Sequence, residues 1–185
     1  SLPFSLTNDQ RKAFGEIARD MEEEHPMQRL VQGDVGSGKT VVATMSLLKA
    51  VENGFQGVLM APTEILAQQH AEGIEPACRQ LGVTVALLTG SSTKKEKEAI
   101  YERLASGEID IVIGTHALIQ EGVNFNKLGL VVVDEQHRFG VEQRAALQKK
   151  GTYPHMLIMT ATPIPRTMTL SVYGDLAVSL IKEMP

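Results

Sequence analysis

The segment that most limits how this chain can fold is the octet Gly-Asp-Val-Gly-Ser-Gly-Lys-Thr at residues 33–40. It fits G-x-x-x-x-G-K-T in full, with Gly33, Gly38, Lys39 and Thr40 at the defining positions. An apolar run over 29–32 precedes it, and a helical pattern over 38–53 follows. A glycine-rich turn between a strand and a helix lets the backbone curl until several N–H groups converge on one anion. The start of the helix adds its own unpaired N–H groups and its positive end. Gly36 and Ser37 belong to the same cradle. The residue types then divide the work: Lys39 reaches the β and γ phosphates of a nucleotide, and the Thr40 hydroxyl is placed on Mg2+.

The rest of the chain repeats the same unit. Short runs at 29–32, 57–61, 83–88, 109–113, 130–133, 156–159 and 177–181 read as strands, several of them apolar on both faces. Helical patterns fill the intervals at 7–24, 38–53, 64–80, 93–106, 116–121, 138–149 and 164–173. Alternation of this kind predicts one α/β domain over residues 1–185, a mostly parallel central sheet with helices on both faces. No linker-like stretch divides it. Thr7 with Gln10, and Thr93 with Glu96, have the spacing of capping boxes, and Gly54 and Gly107 fall where helices should stop.

Composition removes several alternatives. Apolar residues at 43% and charged residues at 22% exclude a disordered or collagen-like chain. A single cysteine, Cys78, leaves no internal disulfide and no multi-cysteine zinc site. A formal net charge of −4 excludes a strongly basic nucleic-acid coat, though not a local binding track. No apolar run approaches the length of a membrane span, so no membrane partner is expected. The chain opens on Ser1 rather than Met and stops at Pro185 without a closing element, as expected of a piece of something longer.

A second motif completes the chemistry. Val131-Val132-Val133 reads as a buried strand and runs into Asp134-Glu135-Gln136-His137. Polar groups at the carboxyl end of a central strand lie where α/β sheets bind ligands. Asp134 would hold Mg2+ through its water shell, and Glu135 would orient and polarise the attacking water. His137 has two readings, a hydrogen-bonding role near the γ phosphate or a zinc ligand; the second needs three or four convergent ligands.

These motifs, with Ala61-Pro62-Thr63-Glu64, Thr89-Gly90, Gly114-Thr115-His116 and Thr160-Ala161-Thr162 in order between and after them, resemble those of superfamily 2 helicases. The stretch from Val131 to Arg144 and the segment Thr162-Pro163-Ile164-Pro165-Arg166-Thr167 resemble the RecG family of bacterial ATP-dependent DNA helicases. The transcription-repair coupling translocase is the near alternative, and Gln136 in place of a second glutamate favours the RecG family. The resemblance covers essentially residues 4–185. It implies a RecA-like P-loop NTPase domain, the first of two motor lobes, with ATP and Mg2+ as cofactors and branched double-stranded DNA as partner. It implies remodelling of stalled forks and Holliday junctions in repair and recombination, in the bacterial cytoplasm. It also implies a DNA-wedge domain before residue 1 and a second lobe after Pro185.

By the same resemblance Lys39, Thr40, Asp134 and Glu135 take the roles derived above, and Gln10 reads the adenine edge. An amide offers the acceptor and donor that this edge requires, and a capping-box role for Gln10 is compatible with it. Pro62, Thr63, Thr89, Gly90 and Thr115 would lie along the nucleic-acid backbone, and Thr160 and Thr162, with His137, would link the ATP and DNA sides. Strand-end loops with exposed N–H and hydroxyl groups can hold phosphates without being basic. The cluster Lys94, Lys95 and Lys97, interleaved with Glu96 and Glu98, reads as a solvated helix face first and as a DNA or interdomain contact second. A third possibility is a nucleotide- or DNA-binding module that does not turn over when isolated.

Overall fold

The computed structural model describes residues 5–33, 38–120, 122–134, 154–161 and 177–181. The helical patterns at 138–149 and 164–173 lie outside these residues, as do Gly36, Ser37, Glu135, His137 and Thr162. In chain order the described elements are α1 Asn8–Glu22, β1 Gln28–Gly33, α2 Lys39–Glu52, β2 Gln56–Met60, α3 Glu64–Gln80, β3 Val85–Leu88, α4 Lys94–Ser106, β4 Ile111–Gly114, a 3-10 turn His116–Ile119, β5 Leu128–Asp134, β6 His155–Thr160 and β7 Ala177–Ile181. The stretch expected as a helix over 116–121 is thus a single tight turn.

The seven strands form one sheet in the order β3-β4-β2-β5-β6-β1-β7, and every pairing is parallel. Neighbouring residues on a strand point to opposite faces, so each face collects alternate side chains. Val31, Leu59, Ile113, Val132 and Leu157 pack with Ala13 and Ile17 of α1, Val42 and Leu47 of α2, and Ala67 and Ile74 of α3. Leu30, Val58, Val112, Val131 and Ile158 face the other way and pack with Leu104 of α4, Leu118 and Val123. Burial on both faces is the physical reason these strands read as unbroken apolar runs.

Three polar residues, Arg29 and Gln56 buried and His155 partly so, tie neighbouring elements to the sheet. Arg29 of β1 donates from Nε to Asp20 Oδ2 at 2.8 Å and from an Nη to Ser179 Oγ at 2.9 Å, which ties α1 and β7 to β1. Gln56 donates to the carbonyls of Leu104 and Ile109 and accepts from the Lys127 N–H, so each of its polar atoms is satisfied. His155 accepts the Met27 N–H at Nδ1, at 2.7 Å, and burial pushes its pKa below the ordinary histidine value. Cys78 is buried within the first apolar cluster, and desolvation raises its thiol to about 11.

Candidate active site

Because all the strands are parallel, their carboxyl ends share one rim, and the sheet order divides that rim into two halves. On one half, β1 ends at Gly33, β6 at Thr160 and β5 at Asp134. The register sets Gln32 beside Thr160 and Met159 beside Asp134, so the three ends are level. Two inter-strand spacings, about 10 Å, therefore separate the phosphate-loop strand from the acidic strand. Thr160, almost fully buried, stands between them.

Gly38 caps α2 with φ of 90°, a left-handed conformation that a residue with a Cβ adopts only under strain. Lys39 and Thr40 follow in the first helical turn, where backbone N–H groups have no intrahelical partner. Lys39 Nζ donates to the Gly33 carbonyl at 2.8 Å, so the cation folds back onto the end of β1. A hydroxyl at Thr40 and a carboxylate at Asp134 make a sparse oxygen donor set. Such a set suits Mg2+, which keeps several waters and takes its remaining ligands from phosphates.

Asp134 has a partner that the sequence motifs do not announce. His70, on α3, lies 2.7 Å from Asp134 Oδ2 through Nε2, and the two side chains are only 13% and 12% exposed. A carboxylate accepts only, so Nε2–H donates. The signal was present in the helix pattern: His70 stands three residues after Ala67 and four before Ile74, both buried. A histidine on that stripe points at the sheet.

Gln10 completes the capping box and also reaches the phosphate-loop side of the sheet. Its Oε1 accepts the Thr7 N–H at 2.9 Å and its own N–H reaches Thr7 Oγ1 at 3.2 Å, which completes the capping box of α1. Its Nε2 also donates to the carbonyl of Gly38 at 3.4 Å, and the residue is 1% exposed. The amide therefore links the first helix to the last glycine of the phosphate loop.

The other half of the rim carries the loops after β2, β3 and β4. Pro62 and Thr63 are exposed, and Thr63 caps α3 by accepting the Leu66 N–H at 3.2 Å. Glu64 reaches across and accepts the Ser91 N–H at 3.0 Å, so the first two loops are tied together. Thr89 is buried, with its hydroxyl 3.0 Å from that of Ser91; it shapes the turn from within, and Gly90 and Ser91 are the exposed members. Thr115 makes no side-chain cap bond to the 3-10 turn. Gly114 is required by a close approach, since a Cβ there would lie 2.2 Å from the Leu88 carbonyl of β3. Lys94 and Lys95 are exposed, and Lys97 Nζ is 3.4 Å from the Gly90 carbonyl. No described helix is long and apolar enough to cross a membrane.

Comparison with known proteins agrees with this geometry. The chain is 56% identical over its whole length to the ATP-dependent DNA helicase RecG of Bacillus subtilis and covers 27% of it. It is 57% identical to the protein of the same name from Thermotoga maritima, covering 24% of that chain. The chain thus spans about a quarter of the length of the curated relatives it matches. Among solved structures, RecG bound to a three-way DNA junction superposes with a TM-score of 0.83 at 52% identity, over all of this chain and 25% of that one. The helicase domain of Pyrococcus furiosus Hef shares the fold at a TM-score of 0.71 and 18% identity, over 94% of this chain and 37% of that one. The DEAD/DEAH box helicase model matches residues 7–170, a span that runs from the cap of α1 through the phosphate loop and the acidic strand. On that match the chain belongs to the DEAD/DEAH box helicase family, and within it the chain is RecG-like.

Proposed function

We propose that this chain is the first, ATP-binding lobe of a DNA motor that couples ATP hydrolysis to the remodelling of branched DNA. The observation that carries the reading is the level rim of β1, β6 and β5, which sets Lys39 and Asp134 on either side of Thr160 in a chain 52% identical to RecG bound to a three-way junction. The N–H groups of the loop and the first turn of α2 hold the phosphates, and Lys39 exchanges the Gly33 carbonyl for the β and γ oxygens. Thr40 and Asp134 hold Mg2+, Asp134 through water. Bound there, the ion neutralises charge developing on the transferred phosphoryl group. Glu135 orients the attacking water, and the Gln10 amide, which carries both a donor and an acceptor, meets the adenine edge. The hydroxyls of Thr63, Ser91 and Thr115 and the Gly90 N–H, with Pro62 beside them, contact the DNA backbone without reading bases, as stepping along any sequence requires. Thr160 and Thr162, with His137, connect the two halves.

Charge on the γ phosphoryl needs more than one lysine and one metal ion, so a second lobe following Pro185 supplies an arginine. Such a finger is worth about 10³–10⁵ in rate in well-studied GTPases. The test is steady-state phosphate release, with and without three-way junction DNA, for this chain and for one extended through a second lobe. DNA-stimulated turnover is expected only in the longer chain, and Lys39→Ala there should lower it about 10²–10³-fold. Equal stimulated rates in both chains, or normal turnover with Lys39→Ala, would overturn the reading.

A further inference from the structure

We infer that His70 is a positioning residue for the metal carboxylate, holding Asp134 in the one orientation that serves a bound ion; this rests on the function proposed above. Asp134 is the last residue of β5, and a side chain at a strand end has several rotamers open to it. The bond from His70 Nε2 to Oδ2 selects one of them and leaves Oδ1 free to accept from a metal-bound water. No other hydrogen bond to the Asp134 carboxylate is present among the described residues. The imidazole itself is mounted rigidly. Its helix is capped at Thr63 and pinned by Ala67, Ile74 and Cys78 in the core, and a polar group fixed on a packed helix positions its partner better than one on a loop.

The placement has a second aspect. β5 lies between β6 and β2, so Asp134 stands at the boundary between the two halves of the rim. The residue that steadies it comes from the helix beginning at the Pro62–Thr63 loop, on the half assigned to DNA. The phosphate half of the site therefore takes the orientation of its carboxylate from an element of the other half.

A merely structural contact between α3 and β5 would affect stability alone, so the decisive measurement is metal dependence. In the full-length protein, binding of a fluorescent ATP analogue is followed as Mg2+ is titrated, for the wild type, His70→Leu, His70→Asn, His70→Gln and Lys39→Ala, with a melting curve for each. Leucine removes the donor. Asparagine keeps polarity but falls short of Asp134, and it carries the test if the leucine variant does not fold. Glutamine places an amide N–H near the position of Nε2. Leu and Asn variants should need about tenfold more Mg2+ for half-maximal binding, the lower end of what removal of a ligand's hydrogen-bond partner costs. Gln should restore most of the difference. An unmoved Mg2+ midpoint in the Leu or Asn variants, even with a lower melting temperature, overturns the proposal, as does a Gln variant no better than Leu. Undiminished analogue binding by Lys39→Ala would instead overturn the assignment of the nucleotide site, and with it the basis of the proposal.

Discussion

Two helices of this chain begin with the same device and end in different company. α1 opens on Thr7 with Gln10, and α4 on Thr93 with Glu96; in both, the threonine hydroxyl accepts the N–H three residues on while that residue's side chain accepts the threonine N–H. The four distances span only 2.9–3.2 Å. Locally the two boxes are the same object. Around them the surroundings differ: Gln10 is buried and its amide donor reaches Gly38, whereas Glu96 is exposed and, among the described residues, its side chain bonds only within its own box. A capping box serves the helix wherever it occurs. It reaches further only where the fold sets it against another element, and here the packing of α1 on α2 sets Gln10 against Gly38.

The largest effect that separates the two boxes is on nucleotide binding. Gln10→Ala removes a buried amide and leaves the Thr7 N–H short of its partner, while the Gly38 carbonyl keeps the N–H groups of Val41 and Val42. Hydrogen-bond losses of this kind cost about 1–3 kcal/mol. ATP binding to the full-length protein should weaken about tenfold, and its preference over GTP should shrink. Glu96→Ala should leave both unchanged. Competition binding of ATP and GTP to the two variants decides it; a Gln10→Ala protein that still prefers ATP as the wild type does reduces Gln10 to a cap and a tether.

The contrast also marks where reading the sequence succeeds. Both boxes, the phosphate loop and the acidic strand are local patterns, written in residues a few positions apart, and the structure contains Thr7, Gln10, Gly38, Lys39 and Asp134 in the elements expected of them. Strand ends shifted by a residue or two, as where β3 begins at Val85 rather than 83, because strand termini depend on what the neighbour offers to pair with. What the pattern does not carry is contact across the sheet. His70 and Asp134 are 64 positions apart, and only the pairing of β2 with β5 brings the helix after one to the end of the other. Thr89 is the reverse case. The motif marks it for DNA; the residue is buried with its hydroxyl against that of Ser91, and Gly90 and Ser91 hold the exposed surface. Ordered motifs locate a site; which member of a motif faces the ligand is a tertiary fact.

Removing the threonines tests the shared half of the comparison. Thr7→Ala and Thr93→Ala each delete a helix-capping hydroxyl, and each should destabilise by about 1 kcal/mol. In a chain of this length that lowers the melting temperature by about 2–4 °C. The two should match in stability and part in function: Thr7→Ala also loosens the Gln10 amide and should weaken ATP binding two- to fivefold, about 0.5–1 kcal/mol, the net worth of one ordinary hydrogen bond. Melting curves and analogue titrations on both variants measure the two quantities separately. Equal losses of ATP affinity would mean that the boxes are not distinguished by their surroundings.

The smallest difference is in acid, and it follows from the one chemical distinction between the boxes. Gln10 carries no titratable proton, whereas the Glu96 carboxylate is held below its ordinary value of 4.5 by the backbone N–H of Thr93 and then by the Thr93 side chain. A carboxyl group whose folded pKa lies below its unfolded value stabilises the fold above the unfolded pKa, and that contribution disappears as pH falls through the folded one. The start of α4 should therefore loosen below pH 4.5 while the start of α1 is insensitive over the same range. The effect is confined to an exposed turn, so global melting is too blunt a probe, and amide hydrogen exchange at Thr93 and Thr7 is the appropriate one. Exchange at Thr93, corrected for intrinsic rate, should accelerate on acidification while Thr7 does not. Glu96→Gln should abolish the acceleration, because the amide reproduces the acceptor of the first box without its proton. If Thr93 stays equally protected on both sides of that pH, its N–H is held by something other than the carboxylate, and the two boxes differ less than their residues suggest.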